Sequence, residues 1–250
     1  MSITQTTSPV IDVLRARASV RDYSSDDVSD EMLDSILNAA RQAPTSSNLQ
    51  AYSFVVVRNA DTKERLAELA GGQKHIITAP VFVAICADVR RLSKVAESAG
   101  GTLAKDHLEM TMVACIDAAL VGMSASLAAD SLGLGTVMIG GMRNDPDGVA
   151  TALGLPEGVF VAFGLCVGWP NTRPEAKPRL PADLVVHRER YQDAALDDGL
   201  AEYEATMSTY HRRVGLDPDV RWADRVTKQF SKPKREQLLE ILKQRGFGFD

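Results

Sequence analysis

The chain is poor in the residues that mark disulfide-rich and metal-binding proteins. It has 3 cysteines and 4 histidines in 250 residues, and neither type shows the paired spacing of a metal site. Cys86, Cys115 and Cys166 each stand among apolar residues, so we expect them to be small core side chains. The sequence therefore predicts neither a disulfide framework nor a bound metal.

Excess positive charge and uninterrupted apolar runs are also lacking. Lys and Arg number 28 against 33 Asp and Glu, and a nucleic-acid-binding surface would need the opposite balance. The longest apolar stretch, Met110–Leu134, contains Asp117 and Asp130, which favours a buried helix over a membrane span. The first residues show no basic segment followed by an apolar one, so we expect no signal peptide and a cytoplasmic protein.

The common nucleotide-binding fingerprints are absent. Gly133-Leu134-Gly135 is followed by Thr136-Val137-Met138, so the third glycine of GxGxxG is missing, and no Walker lysine occurs. This disfavours a Rossmann dehydrogenase. The apolar fraction of 45% is nevertheless enough for the sizeable core of a soluble enzyme.

What the chain does have is a set of polar clusters. Arg17 and Arg21 are four apart, so on a helical turn both guanidinium groups would project from one face and bind a single anion, with Ser19 as a further donor. After Pro44, the run Thr45–Asn48 offers hydroxyl and amide groups suited to the polar edge of a ring system. The alternative for each cluster is a solvated surface segment.

Two further motifs follow later in the chain. Ile139-Gly140-Gly141 ends a predicted strand with two residues that lack side chains, which allows a planar ligand to approach the backbone. A plain strand-to-loop turn is the alternative. Lys177-Pro178-Arg179 holds two cations on a stiff link, and a solvated basic loop would look the same.

Helical and strand patterns alternate along the chain. Such alternation usually indicates a parallel doubly wound sheet. The predicted strands are Tyr52–Val57, Val81–Ala87, Thr136–Ile139 and Val159–Val167. The predicted helices are Val10–Arg15, one capped by Ser29 and running to Gln42, Asp61–Ala70, His107–Ser131, Asp147–Leu153, Leu196–Arg213, Val220–Phe230 and Pro233–Arg245.

Several of these runs, in order, resemble one known family. They are RASVRDY (17–23), RQAPTSSNLQAYSFVVV (41–57), GGQKHI (71–76), APVFVAICAD (79–88), SLGLGTVMIGGMRN (131–144), and FGLCVGWP with KPRLP (163–181). The chain resembles the nitroreductase-like, FMN-dependent oxidoreductases, in the subgroup of NADPH nitroreductases and NADPH flavin reductases. The resemblance runs from about Val13 to Tyr191.

The resemblance implies an α+β fold. We expect a sandwich with a mainly antiparallel central sheet flanked by helices, one long core helix, and a C-terminal helical extension. This expectation replaces the parallel sheet that the alternating pattern favours. Residues 1–195 would form the FMN-binding core, and residues 196–250 an extension that packs on the core and on a partner subunit.

The resemblance also implies an FMN site. Its residues would surround the phosphate, the pyrimidine edge and the flavin ring, and they are Arg17, Ala18, Ser19, Arg21, Thr45, Ser46, Ser47, Gln73, Met138, Ile139, Gly140, Gly141, Lys177 and Arg179. The position of Ala18 often carries a second basic residue in the family. Here it contributes only its backbone, which puts the affinity for the phosphate in doubt.

The implied activity is a ping-pong, two-electron reduction of nitroaromatics, quinones or free flavins, with FMN carrying the chemistry and no catalytic side chain. NADPH is the expected reductant, with NADH as an alternative. Arg213 matches one arginine expected to bind its 2′-phosphate, and Arg212 or Arg221 could serve as the second; a solvated basic helix end is the alternative for all three. Glu109 would face the acceptor, unless it is only a first-turn helix acid.

The resemblance further implies a homodimer with FMN at the interface, acting on nicotinamide and small aromatic acceptors. A flavin-holding protein with a non-redox or partner-binding role is the alternative function. A flavin-free nicotinamide dehydrogenase is a third. The motifs do not identify the physiological acceptor, because such enzymes differ in pocket shape.

Overall fold

The structure, a computed structural model, describes residues 6–249. Its strands are β1 (Tyr52–Val57), β2 (Val81–Asp88), β3 (Gly135–Ile139) and β4 (Val159–Gly168). Its α-helices are α1 (Pro9–Ala16), α2 (Asp30–Ala40), α3 (Ala60–Leu69), α4 (Lys74–Thr78), α5 (Arg90–Ser98), α6 (Leu108–Ser131), α7 (Pro146–Leu153), α8 (Leu196–Arg213), α9 (Trp222–Phe230) and α10 (Leu238–Gln244). Short 3₁₀ turns occur at Ser46–Asn48, Gly140–Arg143 and Ala182–Leu184.

The chain forms two compact units. Of the described residues, 6–174 and 235–249 belong to the first unit, and residues 175–234 form the second. These bounds differ from the predicted division after residue 195. They do not test that division, because a compact unit need not coincide with a family domain.

The first unit is built on a four-stranded sheet of order β1-β2-β4-β3. Every neighbouring pair is antiparallel, which confirms the expected α+β class; the parallel sheet indicated by the alternating pattern is wrong. Side chains of β2 alternate between two cores. Val81, Val83 and Ile85 contribute to the core on one face, and Phe82 and Ala84 contribute to the core on the other.

The long helix α6 packs on the sheet through small residues. Ala114, Ala118, Val121 and Ala125 are fully buried on the face that meets the sheet. At Gly122 an added Cβ would lie 2.4 Å from the ring of Phe163, so only glycine allows this approach. Among residues 6–249, α6 is also the one helix long and apolar enough to cross a membrane by length and composition, a test that a core helix passes too.

Most predicted elements are found, and two helices were missed. Ser29 caps α2 as predicted, with its hydroxyl accepting the N–H of Met32 at 3.2 Å. The helices α4 and α5 were not predicted. Neither has a side-chain cap at its N-terminus, and α5 presents a strongly polar sequence with no fully buried residue.

The second unit has a small core of its own. Tyr203, Met207 and Tyr210 of α8 form a buried cluster against which Trp222 of α9 packs. The carboxylate of Glu204 accepts the backbone N–H groups of the first two residues of α9, at 2.9 and 2.8 Å. This carboxylate therefore acts as the N-terminal cap that α9 otherwise lacks.

Candidate functional site

The segment Arg17–Arg21 is extended. Helix α1 ends at Ala16, and Ser19 pairs with Thr136 of β3 in a parallel bridge. The prediction that the two arginines share a helical turn is therefore wrong. Residues two apart in extended backbone point to one side, so we expect the side chains of Arg17, Ser19 and Arg21 to lie along one side, over about 13 Å. Guanidinium side chains can still converge on one anion across this span.

Val20 holds the segment against β3. Val20 is 1% exposed, and its N–H donates to the Thr136 carbonyl at 2.9 Å. Ala18 lies on the same side as Val20 by the alternation of extended backbone. Arg21 folds back so that its Nη1 donates to the Ser19 carbonyl at 3.4 Å. Of the three residues, Arg21 is exposed, whereas Arg17 and Ser19 are half-buried.

The loop Thr45–Gln50 is strained and exposed. Three non-glycine residues, Ser47, Asn48 and Gln50, have left-handed backbone with φ of 46°, 57° and 56°. Such conformations cost energy for residues with a Cβ, and they cluster at functional sites. Of the predicted flavin residues here, Thr45 is half-buried, while Ser46 and Ser47 are exposed.

A buried acid holds this loop, and the sequence reading did not place it in the site. Asp117 of α6 is 1% exposed. Its Oδ1 accepts the N–H of Ser46 and its Oδ2 the N–H of Ala51, each at 3.0 Å. The signal available in the sequence was an acid in the middle of an otherwise apolar helix.

Gln73 and Gly141 meet, although they are far apart in sequence. Gln73 Nε2 donates to the Ala70 carbonyl at 3.0 Å. A Cβ on Gly141 would lie 2.5 Å from that same Nε2 and 2.6 Å from the Ala70 oxygen. The glycine is therefore required by packing against Gln73, and its φ is not positive.

The side chain of His75, two residues after Gln73, is half-buried. Its Nε2 is buried and has no hydrogen-bond partner among the described residues. Burial lowers the pKa of His75, and the nearby positive charge of Arg21 lowers it further.

The glycine turn after β3 is tied down by a residue that the sequence reading missed. Arg235 donates from Nε to Asn144 Oδ1 at 2.9 Å and from Nη2 to the Gly140 carbonyl at 3.2 Å. Of the predicted residues just before the turn, Met138 is 37% exposed and Ile139 is buried. No local pattern indicates this bond, which joins residues 95 apart.

Lys177 and Arg179 lie in the second unit. Two tyrosines of α8 hold their segment: Tyr203 donates to the Pro178 carbonyl at 3.2 Å, and Tyr210 to the Glu175 carbonyl at 3.3 Å. The segment lines a cleft of about 720 Å³ within this unit. The other side of the cleft is formed by α9 and the residues after it, including Trp222, Arg225, Lys228, Phe230 and Lys234.

The three predicted substrate residues are not gathered in that cleft. Arg213 is bound by Glu175, whose Oε2 accepts from Nε at 3.1 Å and whose Oε1 pairs with Nη2. Arg221 is an exposed residue just before α9. Glu109 is exposed in the first turn of α6, in the first unit.

A second buried acid of α6 faces arginines. The side chain of Asp130 is 3% exposed, and neither carboxylate oxygen accepts a hydrogen bond among the described residues. Arg173 Nη1 lies 3.7 Å from its Oδ1, which is too long for a hydrogen bond. Burial raises the pKa of Asp130 from 3.8 to about 6, and the charges of Arg17 and Arg173 only partly oppose this rise.

Comparison with known protein families gives the class of protein to which this sheet, its long core helix and the glycine turn belong. The Nitroreductase family matches residues 14–169, and the Nitroreductase family C-terminal domain matches residues 177–250. The chain belongs to the Nitroreductase family.

Individual relatives cover nearly the whole chain. The oxygen-insensitive NADPH nitroreductase of Salmonella typhimurium is 39% identical over 246 residues, which covers 96% of this chain and 98% of the relative. The FMN reductase [NAD(P)H] of Bacillus subtilis is 35% identical, covering 95% and 97%. Among solved structures, B. megaterium NfrA2 is similar with a TM-score of 0.94 and 36% identity, covering 98% and 100%.

The buried Asp130 gives a prediction for stability against pH. Its pKa in the folded protein lies above that of the unfolded chain, so the carboxylate destabilises the folded state when ionised. This cost is absent below pH 3.8 and complete above a pH of about 6. Asp130→Asn in the flavin-free protein should therefore raise the free energy of unfolding by up to about 3 kcal/mol at neutral pH.

Urea unfolding of both proteins at neutral and at acidic pH measures this effect. The stabilisation should shrink as the pH falls toward 4, because Asp130 itself is then neutral. An Asp130→Asn protein that is less stable than the parent at neutral pH would show that the arginines outweigh burial.

Proposed function

We propose that the protein is an FMN-dependent NAD(P)H oxidoreductase that reduces nitroaromatics, quinones or free flavins. The observation that carries the proposal is the contact between predicted motifs in the first unit. Gln73, from the run GGQKHI, packs against Gly141 of the glycine turn after β3, although the two are far apart in sequence. The names of the similar proteins, an NADPH nitroreductase and an FMN reductase, agree with this activity.

The residues of the first unit fit FMN chemically. Arg17 and Arg21 supply guanidinium donors for a phosphate, and Ser19 adds a hydroxyl on the same side. The strained loop Thr45–Gln50 offers exposed polar groups. The buried, unpartnered Nε2 of His75 is a further polar atom that a ligand can satisfy.

Each group has a proposed task. Bound FMN would carry the hydride and electrons between the two substrates. Arg17, Ser19 and Arg21 bind the phosphate; Thr45, Ser46, Ser47 and Gln73 line the ring; Met138, Ile139, Gly140 and Gly141 form the wall that the β3 turn provides. The amide of Gln73 keeps one N–H for the ligand, since its other bond goes to Ala70. The FMN roles of Ala18, Lys177 and Arg179 rest on the resemblance alone, and so does the proposed position of Glu109 facing the acceptor.

The cleft of the second unit is proposed to bind the anionic part of the nicotinamide nucleotide. Arg225, Lys228 and Lys234 bring positive charge, and Trp222 offers an aromatic face for a base. Arg213 was predicted for this task, yet its guanidinium is already bound by Glu175. Arg225 is therefore the better candidate for the 2′-phosphate that distinguishes NADPH from NADH.

A homodimer is proposed from the outer face of α6. Leu108, Met112, Ile116 and Leu120 follow one another every four residues and are 45, 48, 53 and 39% exposed. An apolar stripe of this length is typical of a protein interface. A second copy of this chain would cover the stripe, with FMN near the interface, and light scattering would give twice the 27.0 kDa of one chain.

The proposed enzyme is cytoplasmic. Its FMN-binding core would be residues 1–195, and residues 196–250 would form a C-terminal extension. The names of the relatives favour a redox enzyme over a flavin-holding protein with another role.

The proposal predicts a flavoprotein that NADPH reduces. The purified protein should be yellow or bind added FMN, and NADPH added without air should bleach the visible flavin absorption, because the flavin accepts the hydride. An added nitroaromatic or quinone should then restore the colour. Colour without bleaching would exclude the redox function. A protein that binds no FMN would exclude both flavin functions.

Two arginines of the second unit give a matched test of nicotinamide binding. Arg225→Ala should raise KM for NADPH by about tenfold and change KM for NADH little, since one phosphate contact is lost. Arg213→Ala is the control and should raise KM for NADPH less than about threefold, since that guanidinium serves Glu175. Steady-state kinetics with both nicotinamides measures this, and a larger effect at Arg213 would reverse the assignment.

A further inference from the structure

The buried carboxylate of Asp117 binds the backbone of one loop. It lies in the middle of α6, 1% exposed, between residues that form the core. A carboxylate in such a place is costly unless it accepts hydrogen bonds. Its two carboxylate oxygens accept the backbone N–H groups of Ser46 and Ala51, and these two hydrogen bonds offset the cost of burial.

The two bonds lie on either side of the strained residues. Ser46 comes just before the left-handed Ser47 and Asn48, and Ala51 comes just after the left-handed Gln50. The bonds inside the loop are those of a short turn: Asn48 N–H to the Thr45 carbonyl at 3.2 Å, Leu49 N–H to the Ser46 carbonyl at 2.8 Å and Gln50 N–H to Thr45 Oγ1 at 3.3 Å. Asp117 therefore joins both ends of the loop to one rigid point on the core helix.

The left-handed backbone of the loop costs free energy, so other interactions must stabilise this conformation. Left-handed backbone disfavours residues with a Cβ, and three of the six residues Thr45–Gln50 adopt it while most of the loop faces solvent. Packing cannot hold an exposed loop, whereas charge-assisted hydrogen bonds at both ends can. The carboxylate thus selects one conformation before any ligand binds.

We infer that Asp117 is a positioning residue for the flavin, acting through the loop Thr45–Gln50. It holds the hydroxyl groups of Thr45 and Ser47 in the arrangement that the ring would meet. The inference rests on the proposed FMN function. Its consequence is that FMN binding need not include the cost of ordering this loop.

Asp117→Asn is the informative change because it keeps the size of the side chain. The amide has one acceptor oxygen and one NH₂ group, so one of the two backbone N–H groups would face a donor. One anchor is lost and the charge is removed, so both ends of the loop can no longer be held. The dissociation constant for FMN should rise by at least about tenfold.

A matched control separates positioning from general stability. Thr111 lies on the same helix, is 5% exposed, and donates from Oγ1 to the Gly248 carbonyl at 2.9 Å. Thr111→Val removes this one buried hydrogen bond at nearly constant size. It should lower the stability of the protein while leaving the dissociation constant for FMN within about twofold of the parent.

The experiment measures FMN affinity of the flavin-free full-length proteins by fluorescence titration, together with hydrogen exchange of residues 44–51. Asp117→Asn should weaken FMN and speed exchange in that segment, whereas Thr111→Val should do neither. Unchanged FMN affinity in a folded Asp117→Asn protein would overturn the inference.

The unmodified protein gives a second, independent readout if Asp117→Asn fails to fold. The amides of Ser46 and Ala51 should exchange at least about tenfold more slowly than that of Ser47, although Ser46 and Ser47 are both exposed, because each of the two is bonded to Asp117. Equal exchange of these amides would overturn the inference. Absence of FMN binding in the parent protein would instead contradict the proposed function, and this exchange test would still stand.

Discussion

The close packing of α6 against the sheet is the constraint on which the site depends. Small residues let the helix lie close to β2 and β4, and Gly122 leaves room for the ring of Phe163. This fixed position brings two acids of one helix to two distant segments. Asp117 reaches the loop after α2, and Asp130 faces the charge of Arg17. The same packing leaves the opposite face of α6 apolar and exposed.

The strands were predictable because each is a short, β-branched run with clear boundaries. Their pairing was not, since interleaved helices and strands fit a parallel sheet equally well, and only the family resemblance indicated the antiparallel order. Arg17–Arg21 shows the same limit. The spacing of its arginines suits a helical turn, but pairing of Ser19 with Thr136, far along the chain, makes the segment extended.

The motifs of the candidate site were visible in the sequence, whereas the long-range hydrogen bonds that hold them in place were not. Glycines and hydroxyl-rich loops are local signals. By contrast, the bonds of Asp117 to Ser46 and of Arg235 to Gly140 span 71 and 95 residues. Arg213 shows the same limit for charged residues: its pairing with Glu175, 38 residues away, is not visible in the sequence. A charged side chain can be assigned to a ligand only after its partners in the fold are known.

The proposed function depends above all on Arg17 and Arg21 of the extended segment binding the phosphate of FMN. The most direct test compares the affinities of the flavin-free protein for FMN and for riboflavin, which differ by that phosphate. FMN should bind about 100-fold or more tightly, as expected for two charge-assisted guanidinium contacts. Equal affinities for the two flavins would contradict it.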